Sequence, residues 1–388
     1  MSMALNAVLT LVYSALTEKQ MPLPEQVALE DIYVLACKHQ ITSLVYDGAI
    51  RCGLTKQEPI MQKLFQHYCK DLIVSDRQQN CLQALYGAFD EAKIDYLPLK
   101  GCNMKGMYPK AELRAMNDAD ILIRVEQYEA IKPILEKLQY AFVAESDCEL
   151  KWRTKGLYLE LHKRLIPTFV KDFYSYFGDG WQLSVQGEGS RYSLSKEDEF
   201  LYIFTHFARH YREGGVGIRH MADIWYYRMK TPDLDEEKIR TVLKQMSLDT
   251  FYENILQTLR CWFEGQKHTA VTELITTYVG NSGSFGTEEA KILADGIRKA
   301  KGGNVKRRNK WLAFFPSCAS MQYAYPILRK WKILLPVMWV YRWFRVLFCH
   351  RDRIRIHHDR IDKLSTEKLS EFEESMRAVG LNFEFEEH

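Results

Sequence analysis

The sequence predicts an α+β protein: a small mixed sheet with flanking helices at 96–190, preceded by an N-terminal helical region at 1–95 and followed by a mostly α-helical C-terminal domain at 191–388. Two observations carry this expectation. Apolar residues recur at helical spacing up to about Asp95, change to short apolar runs alternating with helical segments as far as Pro167, and return to helical spacing from Lys196. At 388 residues the chain also exceeds what one hydrophobic core usually organises, so more than one packed unit is expected.

The elements follow in order. Leu5, Val8, Leu9, Leu11, Val12 and Leu16 form a first helical stripe, and Pro22 and Pro24 separate it from a second through Leu29, Ile32, Tyr33 and Ala36. From Ile60 to Ala92 a long helix is expected, with Leu64, Tyr68, Leu72, Ile73, Leu82, Leu85 and Phe89 as its packing stripe. Tyr96 to Leu99 reads as a strand that breaks into a glycine turn at Lys100 and Gly101. After a short segment able to be helical, Asn117, Asp118, Ala119 and Asp120 lead into a second strand, Ile121 to Ile123. A helix is expected over Val125 to Leu138 and a strand over Tyr140 to Ala144. In the strand Gly156 to His162, Leu157, Leu159 and Leu161 share one face, with Tyr158 and Glu160 on the other.

Hydrophobic content of 47% and charged content of 27% are those of an ordinary globular protein, and a net charge of +3 does not itself imply a nucleic-acid partner. Nine cysteines lie scattered without a CxxC pair, which points to free thiols in a reducing compartment. The first residues carry no basic leader and no small-residue cleavage site, so the cytoplasm is the expected location.

The chemistry concentrates at Asp118 and Asp120. Strand side chains alternate, so carboxylates at i and i+2 point the same way. Two like charges side by side are costly unless a cation lies between them, and a hard divalent ion with oxygen ligands answers that need. Glu160, an acid in an otherwise apolar strand, is either solvated at an edge or a third ligand of the same site.

The ordered set of Leu99-Lys100-Gly101, Tyr108-Pro109, Arg114, Asp118-x-Asp120-Ile-Leu-Ile and Glu160-Leu-His162 resembles the bacterial family of uncharacterised nucleotidyltransferases, within the polymerase-β-like nucleotidyltransferase superfamily. The resemblance covers roughly Asp95 to Tyr227. It implies that Asp118, Asp120 and Glu160 bind metal and carry catalysis, with Mg2+, two ions, as cofactor and ATP or another NTP as substrate. Lys100 and Gly101 would lie where triphosphate oxygens bind, with Arg114 nearby. Cys102 is a departure: the wider superfamily carries Gly or Ser there, which leaves backbone N–H groups to meet phosphate.

In the second half, His206 and His210, and Arg219 and Asp223, are spaced one helical turn apart. They read as packed helix residues, as half of a zinc site lacking a third ligand beyond His220 or Asp223, or, by the same resemblance, as nucleotide or substrate contacts. Beyond Ala300 basic residues crowd around an apolar run, Ile333 to Phe348, which is too short to span a bilayer. A buried amphipathic helix, an interfacial membrane helix and a basic binding face all remain open there, with peripheral membrane contact assigned to 298–360.

The expected function is Mg2+-dependent transfer of a nucleoside monophosphate, AMP from ATP in the simplest case, to a hydroxyl or phosphate acceptor with release of pyrophosphate. A small-molecule acceptor is the first choice, a protein or tRNA acceptor the alternative. A non-catalytic nucleotide-binding scaffold is the rival from outside the enzymes.

Overall fold

The N-terminal half begins with helix α1 (Met3–Thr17), whose apolar stripe is buried and whose first turn is capped by Ser2 Oγ accepting from the Leu5 N–H at 3.2 Å. The structure is a computed structural model and describes residues 2–24, 27–168, 171–284, 286–300, 315, 316, 318, 321, 325, 327–349 and 366–382. It divides into two units, Met1–Thr287 with Ala378–Leu381, and Glu288–Arg377 with Asn382–His388.

In the first unit α2 (Leu29–His39) and α3 (Thr42–Arg51) follow α1. Helices α1 and α3 pass so close that a Cβ on Gly48 would lie 2.0 Å from the Leu11 carbonyl oxygen. Backbone cannot yield as a side chain does, so Gly48→Ala is expected to cost about 1–3 kcal/mol through forced separation of the helices. A denaturation midpoint equal to wild type would refute this packing.

Helix α4 (Pro59–Glu91) is entered through a proline, whose missing N–H is no loss in a first turn. Its C-terminal part lays Leu82, Leu85 and Phe89 on a five-stranded sheet. The strands are β1 (Tyr96–Pro98), β2 (Ala119–Ile123), β3 (Ala141–Glu145), β4 (Glu149–Arg153) and β5 (Tyr158–His162), in the order β1-β2-β5-β4-β3. Only β2 and β5 pair in parallel, so the sheet is mixed. Helix α5 (Gly101–Met107) lies between β1 and β2 in the chain, and α6 (Tyr128–Lys137) between β2 and β3.

One face of the sheet is apolar. Ala119, Ile121 and Ile123 of β2, Leu150 and Trp152 of β4, and Leu159 and Leu161 of β5 join the α4 residues and Ile131 and Leu135 of α6 in one core. Each fully buried large side chain there contributes roughly 1.5–3 kcal/mol, which fixes the register. The alternation then leaves Asp120, Glu149, Lys151, Glu160 and His162 on the other face.

The chain continues through α7 (Lys171–Phe177) and a two-stranded β6 (Ser184–Gln186) and β7 (Tyr192–Leu194) to the helical layer α8 (Lys196–Glu213), α9 (Ile218–Lys230), α10 (Glu236–Gln245), α11 (Asp249–Phe263) and α12 (Ala270–Ser282). Phe200, Phe204, Phe207 and Tyr211 of α8 are buried, and the last three pack their rings on Phe251 of α11.

The second unit contains the helices Glu288–Ala300 and Leu335–Cys349, and Thr366–Ala378 up to Arg377. Within it the Lys368 ammonium reaches Glu289 at 3.3 Å. Among the described residues no helix is long and apolar enough to cross a membrane. The side chains of Arg298, Lys299, Lys301, Lys306, Arg307, Arg308, Lys310, Arg345, Arg351, Arg353, Arg355 and Arg360, on which membrane contact by 298–360 was expected, lie outside the described residues.

Helix α3, β6 and β7 were not anticipated from the sequence, and two further differences bear on the site. Strand β4 was not anticipated, because Glu-Leu-Lys-Trp-Arg places only two apolar residues between charges. The turn after β1 takes its positive φ, 43°, at Lys100 and not at a glycine, while Gly101 opens α5.

Candidate active site

The turn at Lys100 is held to β2 by the Leu99 N–H, which donates to the Asp120 carbonyl at 2.9 Å. A lysine at positive φ carries backbone strain of order 1–3 kcal/mol, and such residues cluster at functional sites. The strained turn aims the Lys100 ammonium at Asp120 Oδ1, 3.2 Å away, and over the Tyr202 ring of α8 at 5.5 Å. Cys102, next along, turns its thiol to the Asp120 carbonyl at 3.6 Å, and burial together with Asp120 pushes that thiol up to about 12. It is therefore a neutral packing group.

Strand register builds the rest. The parallel pairing sets Asp120 opposite Glu160 and Leu122 opposite His162. His162 Nε2 lies 2.7 Å from Asp120 Oδ1, and an ionised Asp120 requires that nitrogen to carry the hydrogen. On the far side of β5, antiparallel pairing sets Lys151 opposite Glu160 and Glu149 opposite His162. The Lys151 ammonium reaches Glu160 Oε1 at 2.6 Å and Glu149 Oε1 at 2.8 Å.

The acids are tuned apart. Burial disfavours a charged Asp120, yet Lys100 and the His162 bond outweigh it and hold the carboxyl well below the usual range. Burial and then the neighbouring charge of Asp120 push Asp118 up, against the pull of Lys100 and Arg219. Glu160 is also raised, by burial, with Lys151 opposing and Glu149 adding to the rise. The Lys100 ammonium keeps its proton despite burial because Asp120 faces it.

One ligand atom from each of Asp120, Glu160 and His162 falls within 4.8 Å of the others. Carboxylate oxygens suit Mg2+ or Mn2+, so the acids of this face fit a divalent cation, while His162 Nε2 is engaged as a donor to Asp120 and Glu160 Oε1 is engaged by Lys151. Among the described residues no such group includes His206 or His210.

The remaining expected site residues fall into two clusters. Arg114 is buried and gives its fork to Asp223, Nε to Oδ1 and Nη2 to Oδ2, both at 2.9 Å, while the Tyr108 hydroxyl donates to Oδ1 at 2.7 Å. Gly101 packs against this pair, since a Cβ there would lie 3.0 Å from Arg114 Nη1. Arg219 is turned from Asp223 to the Ala115 carbonyl, at 2.9 Å, and its buried Nε has no partner among the described residues. In the other cluster His206 and His210 face each other Nε2 to Nε2 at 3.0 Å. Burial, then Lys100 and His210, holds His206 well below its ordinary value, and burial beside Arg219 pushes His220 down to about 3. His206 and His220 are therefore neutral groups on the helical layer.

Asp118 precedes β2 and stands outside the three-residue ligand group. The sheet thus gathers Asp120 and Glu160, with Lys100 reaching Asp120 from its turn, beside three residues given no role in the sequence reading: His162, Lys151 and Glu149. Two of them carried a readable signal. His162 follows Glu160 by two on the same strand, hence on the same face, and Lys151 alternates with Leu150 and Trp152.

A family model described as "Uncharacterised nucleotidyltransferase" matches residues 25–264, more than half of the chain. Among solved structures, the antibiotic-resistance factor ANT(2'')-Ia is similar at 15% identity with a TM-score of 0.33, covering 48% of this chain and 97% of that one. No curated relative matches. The strand-borne acids lie within the matched span, and on that match the chain belongs to the uncharacterised nucleotidyltransferase family and is a transferase.

Proposed function

We propose that the protein transfers a nucleoside monophosphate, most simply AMP from ATP, to a hydroxyl or phosphate oxygen of a small molecule, with Mg2+ as cofactor. The observation that carries this reading is the β2–β5 register, which sets Asp120 beside Glu160 on the polar face of the sheet with Lys100 against Asp120. The acceptor oxygen forms a bond to the α-phosphorus, the bond between that phosphorus and the α–β bridging oxygen breaks, and pyrophosphate leaves. The acceptor proton passes to Glu160, whose raised affinity for a proton suits a general base. Bound Mg2+ supplies charge neutralisation on the phosphoryl oxygens.

Asp118 and Asp120 hold the cation in this reading, and Lys100 at its strained turn pairs with triphosphate oxygens. His206, His210 and Arg219 contact nucleotide or acceptor. The test incubates the purified protein with each labelled NTP, Mg2+ and a metabolite extract. Pyrophosphate release with label on a small molecule is expected, and its loss in Asp118→Asn. Label on protein or tRNA would move the acceptor to a macromolecule. Thermal stabilisation by NTP with no release from any nucleotide would replace the enzyme reading with a binding one.

A further inference from the structure

Lys151 enters the acid cluster by strand register and not by side-chain reach. It stands directly opposite Glu160 in the antiparallel β4–β5 pair, and its neighbours Leu150 and Trp152 are buried in the core on the other face. A slip of one residue would carry the ammonium into that apolar layer, so the cation is a fixed part of the site. Its Nζ contacts two carboxylates at once, Glu160 at 2.6 Å and Glu149 at 2.8 Å, and the Glu160 side chain is only 12% exposed. A cation held between two acids relieves their repulsion, which is what a bridging metal ion does.

The oxygen donors that stay open lie elsewhere. Asp120 uses Oδ1 for both Lys100 and His162, and its Oδ2 has no bond among the described residues. Asp118 forms no salt bridge among the described residues. An ion bridging Asp120 and Glu160 would instead stand against the Lys151 ammonium, and evicting that ammonium would leave Glu149 beside Glu160 uncompensated.

We infer that the site takes one divalent cation, held by Asp118 and Asp120, and that the Lys151 ammonium fills the place at Glu160 that a second bridging ion takes in a two-ion clamp. This rests on the metal-dependent transfer reading above and departs from the two ions that the sequence resemblance implies. Lys151 is then a positioning residue. It holds Glu160 Oε1 and leaves the other oxygen for the acceptor proton.

The experiment counts Mn2+ bound per chain by electron paramagnetic resonance, on the full chain with a non-hydrolysable NTP analogue. Wild type and Lys151→Arg are expected to bind one ion, and Lys151→Met and Lys151→Gln two. Circular dichroism identifies any variant that fails to fold, and the wild-type count decides between one and two ions without it. Two ions in the wild type overturn the inference and leave metal-dependent transfer standing. One ion in the folded Met or Gln variant also overturns it, because Lys151 is then not what excludes the second. No Mn2+ in any form overturns both the inference and the metal-dependent reading.

Discussion

Asp120→Asn is expected to abolish transfer and to destabilise the fold, whereas Asp118→Asn abolishes transfer without destabilising it. Losing one preorganised charge at a reacting phosphoryl group lowers turnover on the order of a thousandfold, and both substitutions remove one. Their stabilities separate because the two carboxyls are shifted in opposite directions. Asp120 is depressed by Lys100 and His162 against the cost of burial, so its contribution is present above the unfolded value near 4 and is lost as pH falls through the folded one. At neutral pH, Asp120→Asn strips that contribution and leaves the Lys100 ammonium buried with its direct partner neutralised, a loss of about 3 kcal/mol. Asp118 is raised by burial and by Asp120, so its contribution is present below the unfolded value and is lost as pH rises through the folded one. At neutral pH its charge opposes folding, and asparagine relieves it. Denaturant midpoints at pH 7 decide the matter: a fall of equal size in both variants would refute the electrostatic contrast.

That contrast was only half legible in the chain. The repulsion of two acids at i and i+2 can be read from Asp118-Ala-Asp120 alone, because strand alternation is a local rule. Which of them is compensated cannot, since Lys100 is local to a turn whose backbone angles no propensity encodes, and His162 arrives through a parallel pairing 42 residues away. The parallel partner strand was recognisable by Leu157, Leu159 and Leu161. Strand β4 was not, and with it went Lys151 and Glu149, the residues that set the electrostatics of Glu160. Helices were easier: α4 was expected over Ile60 to Ala92 and runs Pro59–Glu91, because a stripe that long has a single period.

The helical side shows the opposite limitation. The spacing of Arg219 and Asp223 suggests a pair within one helix, yet Asp223 is taken by Arg114, 109 residues away, and Arg219 turns to a backbone carbonyl. An i, i+4 spacing states only that two side chains can meet on a surface. In a buried position the stronger partner wins, and the two parallel N–H···O bonds of a guanidinium fork outweigh a neighbour on the same helix.

Asp223→Ala is accordingly expected to give the largest loss of stability of any single substitution considered, about 3–5 kcal/mol. It leaves Arg114 buried without either of its bonds, deprives the Tyr108 hydroxyl of its acceptor, and removes the negative charge that offsets two neighbouring guanidiniums, Arg114 and Arg219. Arg114→Met alone should cost a similar amount by stranding the carboxylate. The double variant Arg114→Met with Asp223→Leu should recover most of the loss, because replacing a whole buried pair by apolar residues is often neutral. This cycle also separates two roles. Arg114 packs against Gly101 at the base of the Lys100 turn, so as a scaffold it shapes the site without touching nucleotide. On that role the folded double variant keeps a KM for NTP near the wild-type value, while Arg219→Met, which removes the guanidinium with an unpartnered Nε, raises it. A stable double variant with a strongly raised KM would return Arg114 to the nucleotide.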